Sequence, residues 1–498
     1  MENHLIAALK RGSSDHPNRV FAELPSGETI SFAAFFEGAE RIAALLQAHG
    51  VAPRDRVAAQ TGKSIAALQL YVGTVMAGGV YLPLNTGYTA SELTHFLTDA
   101  SPRIVVCDPK NQPKIKHQTG AAVFTLDTAG RGSLTDAATA MTQAFAEVPR
   151  DADHLAAILY TSGTTGTPKG AMLSHGNLAS NSQTLAELWR FTSDDVLIHA
   201  LPIFHTHGLF VATNIALMSG ASLLFHPSFD ADVILRDLPR ATAMMGVPTF
   251  YTRLLMKDGL TEATRHMRLF VSGSAPLLAE TNDRWADVTG HRILERYGMT
   301  ETNMNTSNPY DGERRAGTVG FPLPGVEMRL TDGKGNIVEK EMTGVVEVRG
   351  PNVFQGYWNL PEKTAEELLP DGFFVTGDIG HIDDAGYLQI IGRAKDLVIS
   401  GGFNVYPKEV ELLIDACDGV LESAVIGVPH PDFGEAVVAI IVPKGHVTPS
   451  AITTAIAPDL ARYKQPKQII LTDALPRNAM GKVQKNVLRD RYSSLFTT

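Results

Sequence analysis

A run of glycine, serine and threonine residues that ends beside a lysine offers the clearest chemistry in this sequence. The segment Tyr160–Gly170 (YTSGTTGTPKG) contains three glycines, five serine or threonine hydroxyls and Lys169. Glycines let backbone N–H groups turn toward a ligand, hydroxyl groups add hydrogen-bond donors, and the lysine adds a positive charge. These groups suit an anionic polyphosphate, so we expect a phosphate-binding loop here.

The loop does not follow the P-loop pattern of kinases and GTPases. That pattern is G-x-x-x-x-G-K-[ST], whereas the fifth residue after Gly163 is a proline and the lysine is followed by glycine. A flexible Gly/Ser/Thr linker is the simpler alternative. However, the apolar run His154–Tyr160 directly before the loop indicates a buried strand. A strand, this loop and a helix over Leu178–Trp189 together indicate a nucleotide enzyme.

Five further motifs follow the loop, and their order resembles that of the adenylate-forming enzymes. This family includes acyl-CoA synthetases, luciferases and the adenylation domains of peptide synthetases, and the resemblance covers most of the chain. It implies that a carboxylic acid is joined to AMP, with release of pyrophosphate, before transfer to a thiol. The motifs are Arg296–Thr302 (RYGMTET), Thr376–Asp378 (TGD), Ile391–Asp396 (IGRAKD), Ser400–Glu409 (SGGFNVYPKE) and Pro476–Lys482 (PRNAMGK).

The resemblance implies where the parts of ATP would bind. The glycine-rich loop would hold the β- and γ-phosphates, and adenine would lie against Tyr297. Asp378 and Arg393 would contact the ribose, because a carboxylate can accept hydrogen bonds from both hydroxyls, as in dinucleotide-binding folds. The expected ATP-binding residues are Thr161, Ser162, Gly163, Thr164, Thr165, Gly166, Lys169, Gly273, Ser274, Ala275, Tyr297, Gly298, Met299, Asp378 and Arg393.

Three residues are expected to serve the transfer reaction itself. The substrate carboxylate attacks the α-phosphorus of ATP, and such transfers depend on positioning and electrostatics more than on a protein nucleophile. The resemblance gives Lys482 the role of main catalytic cation, a point charge that bridges the carboxylate and the α-phosphate. Thr300 would donate to the α-phosphate. Glu301 would hold Mg²⁺, because this hard cation prefers carboxylate oxygen.

The resemblance also implies a second half-reaction, in which coenzyme A takes the acyl group from AMP. Relatives use one site for both steps by rotating the C-terminal domain. Lys395 occupies the expected hinge. Gly401 and Gly402 would let the CoA thiol pass close to the backbone, because glycine has no side chain. A lysine acetyltransferase or deacetylase acting on Lys482 is a further expected partner, since acetylation removes the lysine charge.

Arg296 is the residue that points to a particular acid. Relatives that activate fatty or aromatic acids usually carry a small residue directly before the YGxTE motif, whereas this chain has Arg296. A guanidinium there would block a long pocket and match a second carboxylate. His205 and His207 lie where the family lines its acyl pocket. Within the family the chain therefore resembles the malonyl-CoA synthetases, which implies malonate as the acid.

The sequence leaves other interpretations open. Arg296 could form a salt bridge with a neighbouring acid instead of binding substrate. The acid could be methylmalonate, oxalate or acetate. A carrier-loading adenylation enzyme would give the acyl group to a protein thiol, but no carrier segment with an acceptor serine is recognisable. The pair His205 and His207 resembles a metal-binding pair, but no third ligand is evident.

The elements that must position these residues alternate between strand and helix signals. Apolar runs such as Ile104–Cys107 and Leu269–Val271 indicate buried strands, and Ser31 and Thr89 are typical helix-capping residues. This rhythm predicts an α/β fold of parallel sheets covered by helices, with ligands beyond the carboxyl ends of the strands. After residue 310, short strands separated by Gly/Asp turns predict a β subdomain.

The domain organisation follows from these signals and from the resemblance. We expect a large N-terminal domain over residues 1–394, which binds ATP and the acid. We expect a small, mobile α+β lid domain over residues 395–498, which carries Lys482. A lid of about 100 residues is within the usual size of a domain.

The bulk composition is that of an intracellular enzyme. The formal net charge of −10 over 498 residues argues against a nucleic-acid partner. Two cysteines suggest neither a disulfide scaffold nor a cysteine metal site. The uncharged stretch 196–229 contains prolines, histidines and glycines, so a buried α/β core explains it better than a membrane span. No export signal is visible, and we expect a cytoplasmic protein.

Overall fold

The computed structural model describes residues 2–142, 145–161, 168–339, 342–400, 403–431, 433–478 and 481–496. The chain divides into two compact units. The first contains Met1–Met328 and Val348–Phe374, and the second contains Arg329–Glu347 and Val375–Thr498. The boundary between residues 394 and 395 was expected from the rotation of the C-terminal domain, and it stays a prediction.

The strands that the structure describes range from two residues in β15 to eleven in β22. In chain order they are β1 (Val20–Glu23), β2 (Thr29–Ser31), β3 (Arg56–Gln60), β4 (Val80–Pro83), β5 (Ile104–Cys107), β6 (Ala122–Thr125), β7 (Leu155–Thr161), β8 (Lys169–Ser174), β9 (Val196–His199), β10 (Ser222–Phe225), β11 (Ala243–Gly246), β12 (Leu269–Ser272), β13 (Leu294–Met299), β14 (Asn303–Ser307), β15 (Phe321–Pro322), β16 (Glu327–Thr331), β17 (Thr343–Arg349), β18 (Phe374–Ile382), β19 (Leu388–Arg393), β20 (Val398–Ser400), β21 (Phe403–Val405), β22 (Val420–His430), β23 (Gly434–Pro443) and β24 (Gln468–Leu471).

Helices connect most of the parallel strands. In chain order they are α1 (His4–Lys10), α2 (Phe32–Ala48), α3 (Ile65–Met76), α4 (Ala90–Ala100), α5 (Gln112–Lys116), α6 (Ser133–Thr139), α7 (His175–Leu188), α8 (Asn214–Ser219), α9 (Ala231–Asp237), α10 (Pro248–Leu254), α11 (Leu260–Thr264), α12 (Ala279–Thr289), α13 (Pro361–Glu367), α14 (Pro407–Asp415), α15 (Pro449–Ile456) and α16 (Lys485–Tyr492).

The described strands form four sheets. Two belong to the first unit, with orders β6-β5-β3-β4-β7-β8 and β15-β14-β13-β12-β11-β9-β10-β1-β2. Their central strands pair in parallel, and antiparallel strands lie only toward the edges. A third sheet has the order β16-β17-β18-β19. The fourth has the order β21-β20-β23-β22, and β24 pairs with β23. The predicted α/β class, with helix-covered parallel sheets and a β subdomain, is confirmed.

Local sequence signals explain where several helices begin. The side chain of Ser31 accepts a hydrogen bond from Ala34 N at the start of α2, and Gly50, just after this helix, has φ 77°. Thr89 and Glu92 form the capping box predicted for α4. Ser174 caps α7 and shares a reciprocal pair of hydrogen bonds with Asn177. The helix after the phosphate loop is therefore fixed at its first residue.

Two details of the predicted topology are wrong. The phosphate loop does not lead directly into a helix, because β8 follows it and pairs antiparallel with β7. The short segment KGAMLS of β8 carries little strand signal by itself, and its pairing with β7 determines its structure. The alternation of strands and loops also predicts that the RYGMTET motif follows a strand, whereas Arg296–Met299 themselves form the end of β13.

The packing follows the alternation of the strands. In the second unit, Val437, Ala439 and Ile441 of β23 belong to one buried cluster, whereas Val438 and Ile440 belong to another. Alternate residues of a strand point to opposite faces, so β23 is covered on both sides. The structure describes no helix that is both long enough and apolar enough to cross a membrane.

Candidate active site

The phosphate loop joins the two strands of a hairpin. Thr161 is the last residue of β7, Lys169 is the first of β8, and these two residues pair in the ladder. The predicted phosphate ligands Ser162, Gly163, Thr164, Thr165 and Gly166 lie outside the described residues. The hairpin therefore brings the start of the predicted loop and its lysine to the same end of the sheet.

Lys169 lies beside an acidic side chain and an aromatic ring. Its Nζ is 3.2 Å from Oε1 of Glu367, the last residue of α13. The same nitrogen lies 4.1 Å from the centre of the Tyr357 ring. Both contacts stabilise a positive charge. The lysine predicted to hold phosphates is thus held by protein groups in this structure.

Glu301 is buried directly after β13, and only 5% of its surface is exposed. The hydroxyl of Tyr357 lies 3.0 Å from Oε1 of Glu301 and 2.6 Å from Oε2 of Glu367, so the two carboxylates share one hydroxyl proton. A buried carboxylate suits a hard cation, which takes one or two carboxylates and completes its shell with phosphates and water. The residues present therefore fit Mg²⁺, with Glu301 as its protein ligand. Thr300, immediately before it, is half-buried.

Arg296 is a buried cation with unused hydrogen-bond donors. It is 4% exposed, and its Nε and Nη2 find no hydrogen-bond partner among the described residues. Burial lowers the pKa of Arg296 to about 9. The adjacent Glu295 does not neutralise it, because Glu295 accepts from Gly317 N and Asn282 Nδ2. A buried guanidinium with two unsatisfied nitrogens and no anion beside it among the described residues is energetically costly.

The backbone after β12 makes room for the Arg296 side chain. A Cβ atom placed on Gly273 would lie 2.2 Å from Cζ of Arg296. The next residue, Ser274, has φ 68°, which is uncommon for a residue with a side chain. Its Oγ lies 3.3 Å from Nδ1 of His207. Gly273 and Ser274 were predicted as adenine neighbours. In the structure Gly273 lies against Arg296, and Ser274 lies beside His207.

His207 completes this group of polar side chains. It begins a buried π-helical segment, His207–Thr213, and π-helical turns are frequent at functional sites. Burial, with a smaller effect from the charge of Arg296, lowers the pKa of His207 well below its ordinary value. The ring is therefore neutral, and its Nε2 has no hydrogen-bond partner among the described residues. His205 is half-buried, and its Nδ1 accepts from His207 N at 3.3 Å.

The remaining predicted adenine neighbours lie on β13 and after β12. Tyr297, Met299 and Ala275 are half-buried. Gly298 lies at an irregularity between β13 and β14, where an added Cβ would meet Asn303 O at 1.9 Å. Glycine at this position is thus required by the close approach of the neighbouring strand.

The second unit contains the other predicted residues. Asp378 on β18 is 4% exposed, and its Oδ1 lies 2.7 Å from Nε of Arg393, its cross-strand partner on β19. Arg393 also donates to Thr376 O. This pair orients the carboxylate predicted to bind ribose. Gly401 and Gly402 lie outside the described residues.

Lys482 and Lys395 belong to the same cationic group as Arg393. Lys482 ends a turn in which its backbone N–H donates to Oδ1 of Asn478. Lys482 as a whole residue is exposed. Desolvation of its ammonium group and, to a smaller extent, the charge of Arg393 lower the pKa of this lysine. The same two causes lower the pKa of Lys395 to about 8, and Lys482 adds to the effect. Such a group attracts an anion.

Sequence reasoning missed Tyr357 and Glu367. They contact Glu301 and Lys169, which lie 56 and 198 positions away in the chain. The close approach of Gly273 to Arg296 was also missed. The only local hint was the glycine before Tyr357, because glycine often marks a close approach of another element. A non-local contact leaves no mark in local residue patterns, so that signal was not sufficient.

Comparisons with known proteins identify the family of the chain. Residues 9–358 match the family described as AMP-binding enzyme, and residues 409–482 match the AMP-binding enzyme C-terminal domain. A malonate–CoA ligase from Arabidopsis thaliana is 36% identical over 84% of this chain and 75% of its own length. An indoleacetate–CoA ligase from Aromatoleum aromaticum is 34% identical over 97% of this chain and 96% of its own length.

Solved structures extend the similarity to the whole fold. The crystal structure of ATP-bound MatB from Rhodopseudomonas palustris has 57% sequence identity and a TM-score of 0.97, and all of both chains is covered. A benzoate–CoA ligase from Burkholderia xenovorans has 27% identity and a TM-score of 0.87, with 97% of this chain and 99% of that protein covered. The resemblance drawn from the motifs is confirmed, and the chain belongs to the AMP-binding enzyme family.

Proposed function

We propose that this protein is an ATP-dependent acid–CoA ligase that converts malonate, ATP and CoA to malonyl-CoA, AMP and pyrophosphate. The similarity to the malonate–CoA ligase of Arabidopsis thaliana supports this reaction. The similarity to ATP-bound MatB supports ATP as the energy source.

The observation that carries the choice of acid is the buried guanidinium of Arg296, whose Nε and Nη2 have no partner among the described residues. A buried charge is costly unless an opposite charge and hydrogen bonds compensate it. Malonate would supply the missing anion through one carboxylate, while its other carboxylate reacts. The fork of an arginine side chain binds a carboxylate through two parallel hydrogen bonds. His207 Nε2 is a further polar atom without a partner among the described residues, and it could hydrogen-bond the same carboxylate.

In the first half-reaction a carboxylate oxygen forms a bond to the α-phosphorus, and the bond from this phosphorus to the oxygen shared with the β-phosphate breaks. Pyrophosphate leaves with the electron pair. Lys169 would hold the terminal phosphates, and Thr300 would donate to the α-phosphate. Lys482 would reduce the repulsion between the two anions. Mg²⁺ held by Glu301 would neutralise charge on the phosphates.

In the second half-reaction the CoA thiolate attacks the acyl carbon, and AMP leaves. The ribose of AMP would stay bound to Asp378, which Arg393 orients. Lys395 would serve as the hinge that exchanges Lys482 for the CoA-binding residues Gly401 and Gly402. Acetylation of Lys482 by a lysine acetyltransferase would remove its charge and stop the first half-reaction.

Two of the other acids weighed from the sequence, acetate and oxalate, fit this pocket less well than malonate. Acetate has a single carboxylate, so it would leave Arg296 without an anion. Methylmalonate carries the same two carboxylates as malonate and would satisfy Arg296 in the same way. In oxalate the two carboxylates are bonded directly to each other, so they lie closer together than the two carboxylates of malonate.

The test is AMP release by the purified protein with ATP, Mg²⁺ and CoA over a panel of malonate, methylmalonate, oxalate, acetate and octanoate. We expect malonate to give a kcat/KM at least about 100-fold above that of acetate, because breaking a buried charge pair costs roughly 3–5 kcal/mol. Equal rates with acetate or octanoate would refute the role of Arg296. No AMP release with any acid would refute the ligase itself.

A further inference from the structure

The contacts of Lys169 point to a role for α13 in ATP binding. We infer that Glu367 is the resting counter-ion of Lys169 and gives this lysine up when the polyphosphate of ATP binds. The inference rests on the proposed ATP-dependent function. It makes Glu367 a positioning residue that competes with ATP and pyrophosphate for the same lysine.

The ion pair between these residues is partly shielded from water. Lys169 Nζ lies 3.2 Å and 3.4 Å from the two carboxylate oxygens of Glu367. The side chains are 16% and 23% exposed, respectively. Shielding strengthens an ion pair relative to one at the open surface. A phosphate that binds Lys169 must therefore displace an existing partner.

Glu367 can release Lys169 without becoming an isolated charge. Lys363, one helical turn earlier on α13, places its Nζ 2.9 Å from Oε1 of the same carboxylate. Residues four apart lie on one face of a helix, so this second lysine stays close when the first one leaves. Lys363 also pairs with Glu366 over 2.7 Å. The exchange thus moves one cation to the phosphates and leaves the other on Glu367.

Tyr357 fixes the carboxylate in the orientation that the exchange needs. Its hydroxyl lies 2.6 Å from Oε2 of Glu367, which leaves Oε1 toward the two lysines. Its backbone N–H donates to Oγ1 of Thr364 on α13. The preceding Gly356 leaves room for this helix, because an added Cβ would lie 2.5 Å from Cγ2 of Thr364. Tyr357 and α13 therefore form one supported unit around Lys169.

The direction of the effect follows from the competition. Replacing Glu367 by glutamine removes the charge that holds Lys169, so ATP and pyrophosphate should both bind more tightly. Ion pairs of limited burial contribute up to about 1 kcal/mol, which corresponds to a 2- to 5-fold change in affinity. Product release should slow, and pyrophosphate should inhibit the reaction 2- to 5-fold more strongly.

The experiment measures equilibrium binding of ATP by calorimetry, without acid or CoA, so no turnover is involved. The proteins are wild type, Glu367→Gln, Lys169→Ala, the double variant, and Glu366→Gln as a matched control. Glu366 is the neighbouring acid on α13, and the structure shows its ion pair with Lys363 but none with Lys169 among the described residues. Thermal unfolding of each variant verifies that it is folded.

We expect Glu367→Gln to bind ATP 2- to 5-fold more tightly than wild type, and Glu366→Gln to bind like wild type. In the Lys169→Ala background, Glu367→Gln should have no further effect. Unchanged or weaker ATP binding by Glu367→Gln would overturn the inference, as would equal tightening in both backgrounds. Failure of the wild-type protein to bind ATP would instead refute the proposed function.

Discussion

At the scale of single residues, the proposed acid preference depends on the buried charge of Arg296. Arg296 has two nitrogen atoms without hydrogen-bond partners among the described residues, and the adjacent Glu295 is bonded elsewhere. Burial also raises the pKa of Glu295 to about 8, so this carboxyl is protonated near neutral pH and offers little counter-charge. The pocket is therefore complete only when the substrate supplies an anion.

Replacing Arg296 by glycine tests this charge. We expect kcat/KM for malonate to fall roughly 100-fold or more, because a second carboxylate would enter a buried site without a cation. The rate with acetate should fall much less. Arg292→Gly is a matched control, because it removes an exposed arginine that pairs with Asp283 at the protein surface. The same acid profile in Arg296→Gly and in wild type would contradict the pocket assignment.

The pH dependence of malonate binding tests the same group without mutation. The pKa of Arg296 is lowered to about 9, so its cationic form predominates below that pH and is lost as the pH rises through it. Malonate needs the cationic form. Its affinity should therefore be level near neutral pH and fall about tenfold per pH unit above pH 9. Equilibrium dialysis of labelled malonate measures this, and a constant affinity up to pH 10.5 would speak against a titrating arginine in the pocket.

At the scale of elements, the turn after β12 and the strand β13 form the pocket by approaching each other closely. Gly273→Ala would place a methyl group about 2.2 Å from Cζ of Arg296. We expect KM for malonate to rise about tenfold, because overpacking costs roughly 1–3 kcal/mol and displaces the guanidinium. Gly120→Ala is the control, since an added Cβ there meets nothing within 4 Å. Steady-state kinetics with varied malonate measure KM for each variant. A wild-type KM in both Gly273→Ala and Gly120→Ala would count against the assignment.

The turn that ends at Lys482 is the element that would present the proposed catalytic cation. Lys482→Ala should slow acyl-adenylate formation at least about 100-fold, which is the usual cost of removing one transition-state donor. Thioester formation from supplied malonyl-adenylate should stay near the wild-type rate. Lys444→Ala, in the same unit, controls for the loss of a surface lysine. Equal losses in both half-reactions would remove Lys482 from the first step.

Local elements were largely predictable from sequence, whereas the contacts between them were not. The start of α2 at Ser31 and the capping box of α4 are written in a few consecutive residues. The strand β8 was missed because its pairing with β7, and not its composition, makes it a strand. Arg296 was identified from its position in a motif, but the close approach of Gly273 became visible only in the structure.

At the scale of the whole molecule, an acidic protein must bind anionic substrates. The net charge is −10, while malonate, ATP and CoA are all anions. Local positive potential therefore has to outweigh the average field. The first unit supplies Lys169 and Arg296, and the second supplies Arg393, Lys395 and Lys482. Each unit by itself carries only part of the predicted machinery, so the full reaction should require both.

The central claim is that this protein joins malonate to AMP reversibly before CoA is involved. The most direct measurement is exchange of labelled pyrophosphate into ATP by the purified protein with Mg²⁺ and malonate, without CoA. We predict rapid exchange that depends on malonate, is weak with acetate and is lost in Lys482→Ala. No exchange with malonate or with any other acid of the panel, in a folded protein, would contradict the account.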